Sequence, residues 1–249
     1  MVDGADESGW SDVAAGWAEL WGGFAAPAQR VLMDAAGIAA RTPVLDVGCG
    51  SGEFLRLLGD AAADATGADP APAMVELARR TGAKVVLAGA EALPFGDGAF
   101  EVVTAVNALQ FAGDTTAALR EFVRVLRPGG RVAIANWAEG ARNDIDVVEA
   151  AVAEALEDEL RPDGPLRPEG GIEQALRGAA LEVVDAGLVE VPWRAADDAT
   201  LVRGILLGED EETIAELHAV VVGAASPFRD ADGGYLLRNA FRWAVAREG

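Results

Sequence analysis

From residue 43 onward, short apolar runs alternate with stretches whose apolar positions recur every three or four residues. The runs predict strands near 43–47, 64–68, 84–87, 101–106 and 130–137, and the amphipathic stretches predict helices near 52–60, 72–81 and 114–127. Strands alternating with helices imply a parallel sheet with right-handed crossovers. Upstream, Trp10, Trp17, Trp21 and Phe24 recur at helical spacing over 10–24, and a second short helix runs from Pro27 to about Ile38 with proline in its first turn. After residue 137 the pattern changes. Ile145, Val148, Val152, Leu156 and Leu160 form an apolar helical stripe, with Glu149, Glu154, Glu157 and Asp158 largely off it. A loop with Pro162, Pro165 and Pro168 leads to a short helix near 171–179. Residues 182–193 read as one strand with Val183, Val189, Val191 and Trp193 on a single face. Helices near 198–207 and 210–223 precede a last alternating strand carrying Tyr235, Leu237, Phe241, Trp243 and Val245.

The stretch from Val44 to Gly52 reads as a buried strand that runs into a turn with glycine at every second position and then straight into a helix. Three positions without Cβ let backbone approach a bound molecule closely, and the helix start points unpaired N–H groups at the turn. That is a cofactor cradle. A dinucleotide fingerprint needs a third glycine or alanine three residues after the second glycine. Read from Gly48 that position is Glu53, and read from Gly50 it is Leu55. Glu53 would set a carboxylate beside a pyrophosphate, and Asp46, two residues before the first glycine, suits a ligand with a cationic end. No Lys-Ser or Lys-Thr pair follows, so the Walker pattern fails too.

Asp46-Val47-Gly48-Cys49-Gly50-Ser51-Gly52 resembles the first motif of class I S-adenosylmethionine-dependent methyltransferases, in their small-molecule branch. Further matches follow in order: Gly67-Ala68-Asp69-Pro70, then Glu91-Ala92-Leu93-Pro94-Phe95 with Phe100-Glu101-Val102-Val103, and Leu126-Arg127-Pro128-Gly129-Gly130. The resemblance implies an α/β, doubly wound, seven-stranded Rossmann-like sheet with its last strand antiparallel. It implies one domain over 1–249, an N-terminal helical lid over 1–40, and cap insertions at 139–170 and 194–230 above the C-terminal strand ends.

The resemblance also implies S-adenosyl-L-methionine as cofactor and assigns its contacts. Gly48, Gly50 and Gly52 form the loop, Cys49 is a small buried lining residue, and Asp46 orders the loop and the ligand's ammonium. Asp69, followed by Pro70, serves the ribose hydroxyls. Met74 is either an adenine-side contact or core. Ala90 and Glu91 open the adenine loop, where Gly89 replaces the family's usual aspartate. Asn107 lies beside the methionine moiety. The acceptor pocket is assigned to Trp17, Trp21, Gln110 and Trp137.

Length and composition fit one domain with a sizeable core: 249 residues, 51% hydrophobic and 24% charged. A net charge of −21 disfavours nucleic acid and anionic membranes as partners. One cysteine excludes an internal disulfide and suits a reducing compartment. The N-terminus carries Asp3, Asp6, Glu7 and Asp12, with no cationic segment before an apolar run and no spanning stretch, so the expectation is a cytoplasmic protein. One histidine and one cysteine without clustered spacing argue against a metal. His218, beside Ile214, Leu217 and Val221, reads as a packed or surface residue, and the Glu209–Glu212 run as compensation of a helix N-terminus.

The expected function is methyl transfer to a small, apolar or aromatic molecule. A sulfonium already activates the methyl group, so no catalytic triad or metal is needed, and a carboxylate, phenol, amine or carbanion could each be the acceptor. Two rivals share the frame: a cyclase or decarboxylase that keeps the cofactor without methyl transfer, and a non-catalytic binding module.

Overall fold

Four of the five residues of β1 (Pro43–Val47) are buried, because helices cover both faces of the sheet it lies within. The computed structural model describes residues 7–159 and 162–248. Leu160 of the expected stripe, and Asp3 and Asp6 of the acidic N-terminus, lie outside these residues.

Around β1 the chain winds through α3 (Glu53–Asp60), β2 (Asp64–Asp69), α4 (Pro72–Arg80) and β3 (Lys84–Leu87), then returns through β4 (Phe100–Val106), α5 (Thr115–Val125) and β5 (Leu126–Trp137). The strand order is β3-β2-β1-β4-β5-β9-β6, where β6 is Leu181–Glu190 and β9 is Ala240–Glu248. The first five pair in parallel, while β9 runs antiparallel to both β5 and β6. This is the doubly wound seven-stranded sheet expected, with its last strand antiparallel. Successive residues of the central strands feed two cores. Val44, Val102 and Ala133 pack with Leu32, Leu58 and Val75 on one face. Leu45, Val103 and Ile134 pack with Leu119, Phe122 and Ile172 on the other.

The helices begin where local chemistry allows. Helix α5 is capped by Asp114, which accepts the Ala117 N–H at 2.9 Å. Helix α2 (Ala26–Ala36) has proline in its first turn and ends on Gly37 in the left-handed region, φ 68°. Helix α1 (Glu7–Leu20) joins it through a turn containing Trp21 and Phe24.

Two strand assignments change. The 182–193 segment is β6 followed by a separate β7 (Trp193–Ala195), and the last alternating run divides into β8 (Tyr235–Leu237) and β9. β7 and β8 form their own antiparallel ribbon. Pro192, which has no N–H to give a ladder, interrupts the first. At the second break Asn239 turns aside: its Oδ1 accepts the Ile145 N–H, and Ala240 N–H donates to Asn143 Oδ1. A register shift between Val183 and Asp185 also puts Val183 and Val189 on opposite faces, since one extra residue reverses the alternation.

The segments expected as insertions carry α6 (Asp144–Ala155), α8 (Asp198–Ile205) and α9 (Glu211–Ala225), with α7 (Gly171–Gly178) following the first. Helix α8 braces the α1–α2 turn, for Trp21 Nε1 donates to Gly204 O at 3.1 Å.

Candidate cofactor and acceptor site

The sheet reverses its winding between β1 and β4, and open α/β sheets bind ligands at the C-terminal ends of such a pair. A cavity of about 340 Å³ lies there. Its floor is the turn after β1. Gly48, Gly50 and Gly52 all have positive φ, at 70°, 53° and 94°, a region that costs other residues strain. A Cβ on Gly48 would lie 2.3 Å from that of Ala108, so the turn after β4 can approach only because position 48 is glycine. At Gly50 a Cβ would meet nothing within 4 Å. Gly52 does not line the cavity. It starts α3, and a Cβ there would sit 3.1 Å from Ala78 of α4, so this glycine lets two helices pack.

The end of β2 holds the turn in place. Gly48 and Cys49 N–H both donate to Ala68 O, at 2.8 and 3.1 Å. Asp69 Oδ2 accepts the Gly50 N–H at 2.8 Å, and its Oδ1 accepts the Ala71 N–H at 2.9 Å. Each oxygen keeps a further lone pair for a ligand. Burial pushes the Asp69 carboxyl above its ordinary value, against the two N–H bonds that lower it. Asp46, 3% exposed, accepts the Thr104 hydroxyl at 2.7 Å and is pushed up to about 7, mainly by burial. Cys49 is buried, and desolvation followed by the Asp46 and Asp69 charges raises its thiol pKa, so it is a lining group without thiolate character.

Pro70, Met74, Gly89, Ala90 and Glu91 line one side. Glu91 Oε1 accepts the Asp114 N–H at 3.2 Å, tying this loop to the start of α5. Gly89 does not have positive φ, and a Cβ on it would approach Glu91 Oε2 to 3.4 Å. Asn107 follows β4 in the left-handed region, φ 53°, which asparagine tolerates better than most residues. Its N–H donates to Ala135 O, and its Oδ1 accepts from Gln110 Nε2 at 2.7 Å. Gln110 itself is not in the wall; it holds Asn107.

The roof is aromatic. Trp10, Trp17, Trp21 and Phe24 line the cavity with Phe111. Trp10 meets both Trp17 and Phe111 edge to face at 5.2 Å, so α1 reaches across to the loop after β4. Trp21 stacks on Trp193 at 4.3 Å, and Trp193 Nε1 donates to Leu20 O. Trp21 and Phe24 are therefore fixed core, whereas Trp10 and Trp17 are half-buried. Trp137 stacks on Phe24 at 5.5 Å and packs on Phe241, behind the aromatic wall and outside the lining. Among the described residues, no lining residue comes from 139–170 or 194–230. His218 is exposed on α9, and Asp210 caps that helix by accepting the Thr213 N–H.

Two polar side chains of the lining escaped the sequence reading. Glu53, noted only as an obstacle to a pyrophosphate, faces the cavity and accepts the Ser51 hydroxyl at 2.8 Å. Gln29 lines it from α2 and is 7% exposed. Its spacing to Leu32 and Ala36 placed it on the buried stripe of that helix, a signal present in the sequence.

Residues 45–134 match the methyltransferase domain family. A demethylmenaquinone methyltransferase of Thermus thermophilus is 38% identical over 114 residues, covering 43% of this chain and 52% of that protein. A malonyl-(acyl-carrier protein) O-methyltransferase of Salmonella typhimurium is 34% identical over 137 residues, covering 54% and 53%. The chain thus spans about half the length of these curated relatives. A candidate methyltransferase from Bacillus halodurans superposes with a TM-score of 0.62 at 19% identity, covering 88% of this chain and 98% of that one. At that identity the likeness is one of fold.

Proposed function

We propose, for a chain that belongs through residues 45–134 to the class I S-adenosylmethionine-dependent methyltransferase family, that the cavity binds S-adenosylmethionine and that the protein methylates a small apolar or aromatic molecule. The observation that carries this reading is the cavity's charge. Asp46, Glu53, Asp69 and Glu91 line it, and among the described residues no lysine, arginine or histidine does. A dinucleotide's pyrophosphate would meet carboxylates with no cationic side chain to offset them, while an ammonium and a sulfonium meet complementary charge. The open space above Gly50 fits a ligand lying against backbone.

When bound, S-adenosylmethionine supplies a methyl group made electrophilic by its sulfonium. The chain's own residues bind, orient and exclude water. Asp69, with its spare lone pairs and Pro70 behind it, would hold the ribose hydroxyls. The Gly48–Gly50 backbone, Asp46 and Asn107 would hold the amino-acid end, and Met74, Ala90 and Glu91 would flank the ring. The aromatic roof supplies a dry surface for the acceptor, and a fixed approach of the reacting atoms at ~3–3.5 Å lowers the barrier by several kcal/mol. In this reading α1 and α2 are the lid. The 194–230 segment braces the lid from behind, as the Trp21–Gly204 bond suggests. No helix among the described residues is long and apolar enough to cross a membrane, and the net charge of −21 supports a small-molecule substrate over nucleic acid.

Product mass tests this. Incubated with S-adenosylmethionine and a panel of small phenols, amines and carboxylic acids, the protein should release demethylated cofactor while one compound gains a methyl group. Conversion of a panel compound with the cofactor left intact would assign the site to cyclisation or decarboxylation and contradict the proposal.

A further inference from the structure

We propose that Gln29 selects the acceptor: its side-chain amide binds the hydroxyl of a neutral, planar, otherwise apolar molecule held beneath the aromatic roof. The proposal rests on the methyltransferase reading only in calling that molecule the acceptor.

The acidic and amide side chains that line the cavity fall into two groups. Asp46 is bonded to Thr104, Asp69 to two backbone N–H groups, Glu53 to Ser51, Glu91 to the Asp114 N–H, and Asn107 to Gln110. Gln29 alone of this set has no hydrogen-bond partner for its side chain among the described residues, although it is 7% exposed. A buried amide is ordinarily satisfied, because an unmet donor and acceptor cost the desolvation of each. Here the side chain faces the cavity, so the group that satisfies it is whatever the cavity holds.

Its position says what that is. Gln29 lies one helical turn after Ala25, another lining residue, and so faces the same way, beside the turn that carries Trp21 and Phe24. Trp17, Trp21 and Phe24 line the cavity there and pack on one another, Trp17 and Trp21 nearly parallel at 6.0 Å and Trp21 and Phe24 edge to face at 5.3 Å. Flat apolar surface suits a planar ring. The four lining carboxyls disfavour an anionic acceptor. A neutral hydroxyl can donate to the amide oxygen and accept from the amide nitrogen, so it uses both halves of Gln29.

The test pairs molecules that differ at that one group. Para-ethylphenol, ethylbenzene and para-ethylbenzoate are titrated into the full chain, with and without S-adenosylhomocysteine, and followed by quenching of the cavity tryptophans. Wild type should bind the phenol about tenfold or more tighter than ethylbenzene, and tighter than the benzoate. In Gln29→Leu the preference for the phenol over ethylbenzene should shrink to about threefold or less, with ethylbenzene binding undiminished. Calorimetric binding of S-adenosylhomocysteine should be unchanged in that variant. Gln29→Met, closer in shape, serves if the leucine variant does not fold. A phenol preference that survives substitution would overturn the proposal, as would tighter binding of the benzoate or no quenching by any of the three compounds. Loss of S-adenosylhomocysteine binding by wild type, with the phenol preference intact, would instead count against the cofactor reading alone.

Discussion

Asp46 is the residue whose charge the cavity governs most strongly. Its carboxyl is pushed from the ordinary 3.8 to about 7 by burial, opposed by the Thr104 hydroxyl and reinforced by Asp69 and Glu53. A proton held more tightly in the folded state stabilises that state. The contribution is therefore fully present below the unfolded value and is lost as pH rises through about 7. In the unliganded protein, Asp46→Asn should gain stability relative to wild type as pH rises from about 5 to 8, by up to about 1.4 kcal/mol per unit. Urea melts across that range would show it, and a difference independent of pH would remove Asp46 as the titrating group. Gly89 offers a simpler test. Its backbone is not left-handed and its Cβ position is merely close to Glu91 Oε2, so Gly89→Asp should fold and tighten binding of S-adenosylhomocysteine by ~1 kcal/mol by restoring an acceptor for the adenine amino group. Unchanged or weaker affinity in a folded variant would show that Glu91 or water already fills that role.

At the level of elements, α1 is the part with two natures. Its C-terminal turn is anchored by the Trp21–Gly204 bond and the Trp21–Trp193 stack. Its earlier turns carry Trp10, Ala14 and Trp17, which pack against Ala71 and Met74 at the start of α4, and Trp10 also meets Phe111. Amides of residues 10–17 should exchange faster in the free protein and become protected when S-adenosylhomocysteine is added, while those of α2 stay protected throughout. Equal protection of 10–17 in both states would make α1 ordinary core. The crossovers around β1 were legible in the sequence because a change of hydrophobic period and a glycine turn mark each boundary locally. The break at Pro192 carried a local signal, a proline inside the run, which the alternation around it masked, whereas the break at Asn239 and the bulge near Val184 carried none, because pairing with distant strands decides them. Within the site, Asp69, Gly48 and Gly50 could be read from spacing, whereas Gly52 belongs to helix packing. The displacement of Trp137 behind Phe24 and of Gln110 behind Asn107 depends on which neighbour reaches the cavity first, and no period in the chain records that.

For the whole molecule, the net charge of −21 and the acidity of the cavity point the same way: this is a surface and an interior that favour a cationic small molecule. The fold by itself would admit either a dinucleotide or an adenosyl sulfonium at the same switch point. What separates them is the glycine spacing, with Glu53 where a dinucleotide site needs a small residue, and a wall of four carboxyls. Isothermal titration of the purified chain with S-adenosylmethionine, S-adenosylhomocysteine and NAD measures that choice directly. Both adenosyl compounds should bind and NAD should give no heat of binding. Tight binding of NAD, with no response to either adenosyl compound, would contradict the assignment of the cavity.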